Sequence, residues 1–164
     1  MRYIEIAGRT HPLRFTARAL LRTQQLCPAP LRTLFTSGEE GARWLLYCAL
    51  CDAYPFLTRR KSDALFDTLL PDIAPLYDAL AQAYDMSGFP REGITQEEMD
   101  RLLDAAARAG MKDSCRLLDL SYREIARELD AHLPPRSWAD APMTEAQMLS
   151  ALKNYARRFT HADA

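Results

Sequence analysis

Tyr3-Ile4-Glu5-Ile6-Ala7-Gly8-Arg9-Thr10-His11-Pro12-Leu13-Arg14-Phe15 places two short alternating runs around a glycine. Tyr3, Ile4 and Ile6 form a β-prone run, Gly8-Arg9 can turn the chain, and Leu13 and Phe15 alternate on the return. Pro12 has no N–H to give to a ladder, so the second run reads as an edge strand. A lone two-stranded hairpin is marginal in water. The sequence therefore predicts that this one packs on helices or pairs with another chain.

Everything after the hairpin reads as helix. Thr16 is placed to cap a helix running to Leu26, where Cys27-Pro28-Ala29-Pro30 stops it. Leu31 to Phe35 reads as a short helix. Ser37 and Glu40 have capping-box spacing and open a helix to about Ala53. Its stretch from Trp44 to Cys51 is apolar almost all round, which marks the centre of the fold. Pro55 ends it. Thr58 to Lys61 reads as a polar, basic loop, and Ser62 as the cap of a helix ending near Pro71. Asp72 begins a helix with an apolar stripe at Ile73, Leu76, Tyr77, Leu80, Ala83 and Tyr84, and Pro75 falls in its first turn.

Two glycines and a proline between Ser87 and Gly93 give the best linker. Thr95–Glu98, Ser121–Glu124 and Thr144–Gln147 then repeat the capping-box spacing at the start of three more helices, with a short helix between Gly110 and Ser121. The predicted fold class is mainly α: a helical bundle-like domain with a short N-terminal β-hairpin. Residues 1–87 form the hairpin and a helical domain. Residues 94–164 form a helical segment that packs by itself or joins the first part as one domain.

The net charge of −1 argues against generic nucleic-acid binding, which needs a basic surface. The charge is unevenly spread, however. Residues 1–61 carry ten Lys/Arg and four Asp/Glu, a net of +6, and residues 62–164 carry a net of −7. A basic front and an acidic back attract each other within one chain or between copies; solvated helix faces are the plainer reading. No apolar run has the length of a membrane span, and Glu5, Arg9 and Arg14 interrupt any signal-peptide core. The expectation is an intracellular, cytoplasmic protein with Cys27, Cys48, Cys51 and Cys115 as reduced thiols.

Cys48 and Cys51 have CxxC spacing, but they lie deep in an apolar helix rather than at a helix start, and read as small buried hydrophobes. No nucleophile elbow, zinc-protease helix or Gly-rich phosphate loop occurs. The acidic pairs Glu39-Glu40 and Glu97-Glu98 suit first helical turns, where they complement the helix dipole. The chain is expected to be non-enzymatic and to need no cofactor or metal. Leu120 to Leu129 looks like the first helix of a helix-turn-helix regulator, but two prolines follow at Pro134-Pro135 where a short turn is needed. A DNA-binding regulator and a helical adaptor of unknown pathway stand as alternatives. Candidate partner-binding residues are Tyr3, Ile4, Ile6, Leu13 and Phe15 of the hairpin, with Met99, Met148 and Tyr155 on the later helices. Core packing is the alternative role for the methionines.

The first 87 residues resemble the tail assembly chaperones of long-tailed bacteriophages and prophages. The similarity rests on the strand Tyr3–Ile6, the turn at Gly8-Arg9 and the return strand ending Leu13-Arg14-Phe15. It continues through the helix from Thr16, the apolar helix around Trp44 to Cys51, and the amphipathic helix from Leu76 to Met86. The resemblance implies a protein that coats the helical tape-measure protein, helps to recruit tail-tube subunits, and leaves before the tail is complete. A homo-oligomer is also expected. In many family members a frameshift adds a second segment; residues 94–164 correspond either to that segment or to more of one domain.

Overall fold

The computed structural model describes residues 2–70 and 73–132. Strands β1 (Arg2–Ile6) and β2 (Arg9–Leu13) pair antiparallel, with Ile4 opposite His11 and Ile6 opposite Arg9. The turn is thus Ala7-Gly8, not the Gly8-Arg9 expected. Both turn residues have positive φ, 50° at Ala7 and 73° at Gly8. A two-residue hairpin loop needs this to match the twist of its strands, and glycine adopts it without strain.

Helices α1 (Ala17–Leu26), α2 (Leu31–Leu34), α3 (Gly38–Leu50), α4 (Arg59–Asp67), α5 (Ala74–Ser87), α6 (Gln96–Arg108) and α7 (Tyr122–His132) follow, with a 3₁₀ helix at Ser114–Asp119. The mainly α fold with an N-terminal hairpin is the observed one. α3 lies at the centre, packed against α1, α2, α4, α5 and β2. Its Leu45, Leu46, Tyr47, Cys48, Ala49 and Leu50 are all buried. Each buried leucine adds roughly 1.5–3 kcal/mol of transfer free energy. Gly41 lets α3 begin against α2, since a Cβ there would lie 2.0 Å from the Leu34 carbonyl oxygen.

The hairpin packs on the helices. Ile6, Leu13 and Phe15 join the core, the Arg14 N–H donates to the Ala49 carbonyl at 3.0 Å, and the Phe15 ring meets Tyr84 edge-on at 5.0 Å. One core runs from Ile6 to Leu129, so residues 94–132 share it with the first part of the chain. The expected linker is built in. Phe89 and Ile94 are buried, and the Tyr84 hydroxyl donates to the Pro90 carbonyl.

Capping follows the sequence at Thr16, Thr95 and Ser121. The Thr95 side chain accepts from the Glu98 N–H, and Glu98 accepts from the Thr95 N–H. Ser121 and Glu124 do the same. Two expected caps are corrected. Ser37 precedes α3 but sits at φ −86°, ψ 21°, outside the extended region a cap requires. Its hydroxyl donates instead to the Thr33 carbonyl at 2.6 Å, and Glu40 turns to Arg59 at 3.1 Å. Ser62 is buried inside α4, which starts earlier, on Thr58. The Thr58 hydroxyl accepts from the Lys61 N–H. The supposed basic loop is thus the first turn of α4. Its unfavourable position at the positive end of the helix is offset because Arg59 pairs with Glu40 and with Asp63. α3 ends at Leu50, three residues before the expected Ala53, and α4 ends at Asp67 rather than near Pro71.

The basic front and acidic back meet within this chain. Arg14 pairs with Glu124, Arg18 with Asp119, and Arg43 with Asp67. Along the α3–α4 seam each helix lays an arginine on the other's aromatic ring: Arg43 over Phe66 at 4.3 Å and Arg59 over Trp44 at 4.0 Å.

Candidate functional site

The chain leaves α3 through Cys51 to Leu57, and this connection carries the strongest surface feature among the described residues. Leu57 anchors in the core, while Phe56 is 91% exposed and Tyr54 is 38% exposed. The loop is held from three sides. The Leu57 N–H donates to the Tyr54 carbonyl at 2.9 Å, which closes the turn. The Arg22 guanidinium, on α1, donates to the Pro55 and Leu57 carbonyls at 3.2 and 3.3 Å. His11 Nδ1, on β2, lies 3.0 Å from the Tyr54 hydroxyl.

Between this loop, β2 and the first turns of α4 lies a groove of about 560 Å³. Tyr54, Pro55, Phe56 and Leu57 form one wall, and Ala64 and Leu65 of α4 form the other. His11 and Lys61 also line it, and Lys61 supplies a charge. The His11 ring is buried, and its Nε2 has no hydrogen-bond partner among the described residues. The exposed Phe56 and the apolar concavity beside it form one continuous apolar surface that a partner's side chains can cover.

The expected partner-binding residues divide. Tyr3 is 60% exposed on the outer face of the hairpin, and Ile4 is half-buried on the inner face. Ile6, Leu13, Phe15 and Met99 are core residues with no more than 1% of their surface open; for Met99 this is the core-packing role named as its alternative. The pleat explains the hairpin residues: the face carrying Ile4, Ile6, His11 and Leu13 turns toward the helices. Met148, Tyr155 and the fourth capping box lie outside the described residues. The Tyr54–Leu57 groove was not anticipated. Its one sequence signal is Tyr54-Pro55-Phe56, two aromatics about a proline directly after a helix stop.

The cysteines take the places of hydrophobes. Cys27, Cys48 and Cys51 are buried free thiols and Cys115 is exposed. Burial pushes the Cys48 thiol up to about 12. Among the described residues no three His, Cys, Asp or Glu side chains gather as a metal site requires. None of the described helices is long and apolar enough to cross a membrane. α7 covers the stretch that looks like the first helix of a helix-turn-helix. It buries Ile125, Ala126 and Leu129 in the fold, and the segment needed for a second helix lies outside the described residues.

Comparisons with protein-family profiles, with characterised proteins and with solved structures give no match.

Proposed function

We propose that this chain is a non-enzymatic, protein-binding helical module whose Tyr54–Leu57 groove takes an apolar segment of another polypeptide. The observation that carries the reading is Phe56, 91% exposed beside an apolar groove whose backbone Arg22 fixes in place. The chemistry suits an amphipathic helix. Its apolar side chains, three or four residues apart, would lie between Phe56 and Leu65, and a carboxylate at its edge would meet Lys61 and the adjacent Arg60.

The resemblance of residues 1–87 supplies the biological form of this reading: a tail assembly chaperone of a bacteriophage or prophage, acting in the bacterial cytoplasm. Its partner is then the tape-measure protein, whose long helix offers apolar stripes that need covering before the tube forms, and it helps to recruit tail-tube subunits. The test is a photo-reactive phenylalanine analogue at position 56, in cells co-expressing a tape-measure fragment from the same genome. The proposal expects a crosslink to the fragment from position 56 and none from Thr10, on the outer face of the hairpin. Crosslinking from neither site, or equally from both, contradicts it.

A further inference from the structure

The two edges of the hairpin sheet differ. Ile6 and Arg9 close the two-residue turn and exchange their backbone bonds, as do Ile4 with His11 and Arg2 with Leu13. The residues between them therefore turn their N–H and C=O groups outward. On β2 these are Thr10 and Pro12, with Arg14 next along. Pro12 has no N–H, and the Arg14 N–H is taken by the Ala49 carbonyl at 3.0 Å. On β1 they are Tyr3 and Glu5. Among the described residues no hydrogen bond reaches the backbone N–H or C=O of either, and both residues are exposed. The β2 edge is thus closed to a further strand, while the β1 edge is open and carries neither proline nor bulge. Such an edge is a template for strand addition.

The sequence of β1 fits a second copy of itself. About a two-fold axis at Ile4, an antiparallel pair sets Tyr3 of each copy against Glu5 of the other, and every outward N–H and C=O of both residues finds a partner. An axis at Glu5 would instead set that carboxylate against its own copy, and like charges directly opposite are destabilising. An axis at Tyr3 would carry Glu5 past the end of the facing strand, which begins at Arg2. At the Ile4 axis the two half-buried isoleucines meet as a pair without backbone bonds between them, the closest approach in an antiparallel ladder, and cover each other's remaining surface. On the outer face Pro12 already stands opposite Tyr3. The 60% exposed Tyr3 ring then lies in a row between Pro12 of its own chain and Glu5 of the other.

We propose that β1 is a homodimer edge: two copies of this chain join β1 to β1 and make one four-stranded antiparallel sheet. Each end of that sheet is a β2 edge closed by Pro12 and by the bond from Arg14, so assembly stops at two copies. β1 contributes no residue to the Tyr54–Leu57 groove, so the pairing does not depend on what the groove binds.

Sedimentation equilibrium of the full chain at rising concentration should carry the mean mass from monomer to dimer and stop there. Glu5→Pro removes an outward N–H without touching the bonds to β2, as Pro12 does on the other edge. It should raise the dimer dissociation constant by about tenfold or more. Proline can also unsettle the hairpin, so a thermal melt accompanies it and the register is read separately. In a Cys115→Ser background, which removes the exposed thiol, Tyr3→Cys protein is mixed with Glu5→Cys protein under mild oxidation. The two Cα atoms should face each other at about 5.5 Å, within disulfide reach. The mixed disulfide should then form severalfold faster than either self-disulfide. A wild type that stays monomeric or grows past a dimer overturns the proposal. So does a folded Glu5→Pro that dimerises like wild type, or a mixture that crosslinks no faster than its components alone.

Discussion

The Tyr54 hydroxyl and His11 Nδ1 meet at 3.0 Å, tying the loop after α3 to the second strand of the hairpin. The hairpin thereby contributes to the groove as well as covering the core. It places a buried histidine against the loop that Arg22 holds through the Pro55 and Leu57 carbonyls. Tyr54→Phe keeps the ring and removes the bond, leaving both nitrogens of a buried imidazole unpaired. A loss of about 1–2 kcal/mol in unfolding free energy is expected. Urea unfolding checks it: a midpoint equal to wild type means the bond contributes nothing.

Ala7 carries the backbone strain of the hairpin, with φ at 50° and its side chain exposed. A left-handed alanine costs about 1 kcal/mol relative to a residue that tolerates the region. Ala7→Asn removes that cost without losing any packing. The melting temperature should rise by roughly 3 °C. A fall would show that the turn is not the two-residue form described.

Glu124 gives the fold an acid-sensitive contact. Burial disfavours its charge, but the Ser121 N–H and hydroxyl and the Arg14 guanidinium outweigh burial and hold the carboxyl below the ordinary range. The unfolded chain therefore binds this proton more readily than the folded one. The contribution is present above the ordinary carboxylate pKa and is lost as pH falls through the lower, folded value. Melting temperatures measured down the acid range should show Glu124→Gln below wild type at neutral pH. The two should converge at the acid end. A gap that stays constant with pH would exclude this linkage.

Cys48 and Cys115 should react very differently. With its thiol pushed up to about 12 by burial, Cys48 stays protonated at pH 8, whereas Cys115 is exposed. A disulfide reagent added to native protein should label Cys115 rapidly and Cys48 only at the rate of unfolding. Mass mapping of the labelled peptides reads this directly. Rapid labelling of Cys48 would restore the CxxC pair as a redox site.

What the sequence revealed depended on how local each cause was. Thr16, Thr95 and Ser121 cap helices by bonds to residues three positions on, so their spacing alone was enough. The central α3 was legible because few arrangements can hide a helix that is apolar nearly all round. Ser37 does not cap because its own backbone sits at φ −86°, ψ 21° and its hydroxyl is drawn back to the Thr33 carbonyl, a contact that the forward spacing to Glu40 does not reveal. Thr58 was passed over because three basic residues after it resembled a loop, and the acids that balance Arg59 lie elsewhere, at Glu40 and Asp63. The groove was hidden for a similar reason. Arg22 reaches its carbonyls from 33 and 35 residues away, and His11 reaches Tyr54 from 43, distances that no motif spans. The uneven charge was visible, and the structure resolves it as contacts within the chain, from Arg14, Arg18 and Arg43 to the acidic half.

If the groove around Phe56 covers an apolar helix of a partner, a charge at position 56 should leave that helix uncovered. The most direct measurement is the soluble fraction of a tape-measure fragment from the same genome, co-expressed with wild-type chain or with Phe56→Asp. Phe56 is exposed, so the substitution should leave the melting temperature of the chain itself unchanged. Wild type should keep the fragment in the supernatant, and Phe56→Asp should leave it in the pellet. A fragment equally soluble with both, or insoluble with both, would contradict that role for the groove.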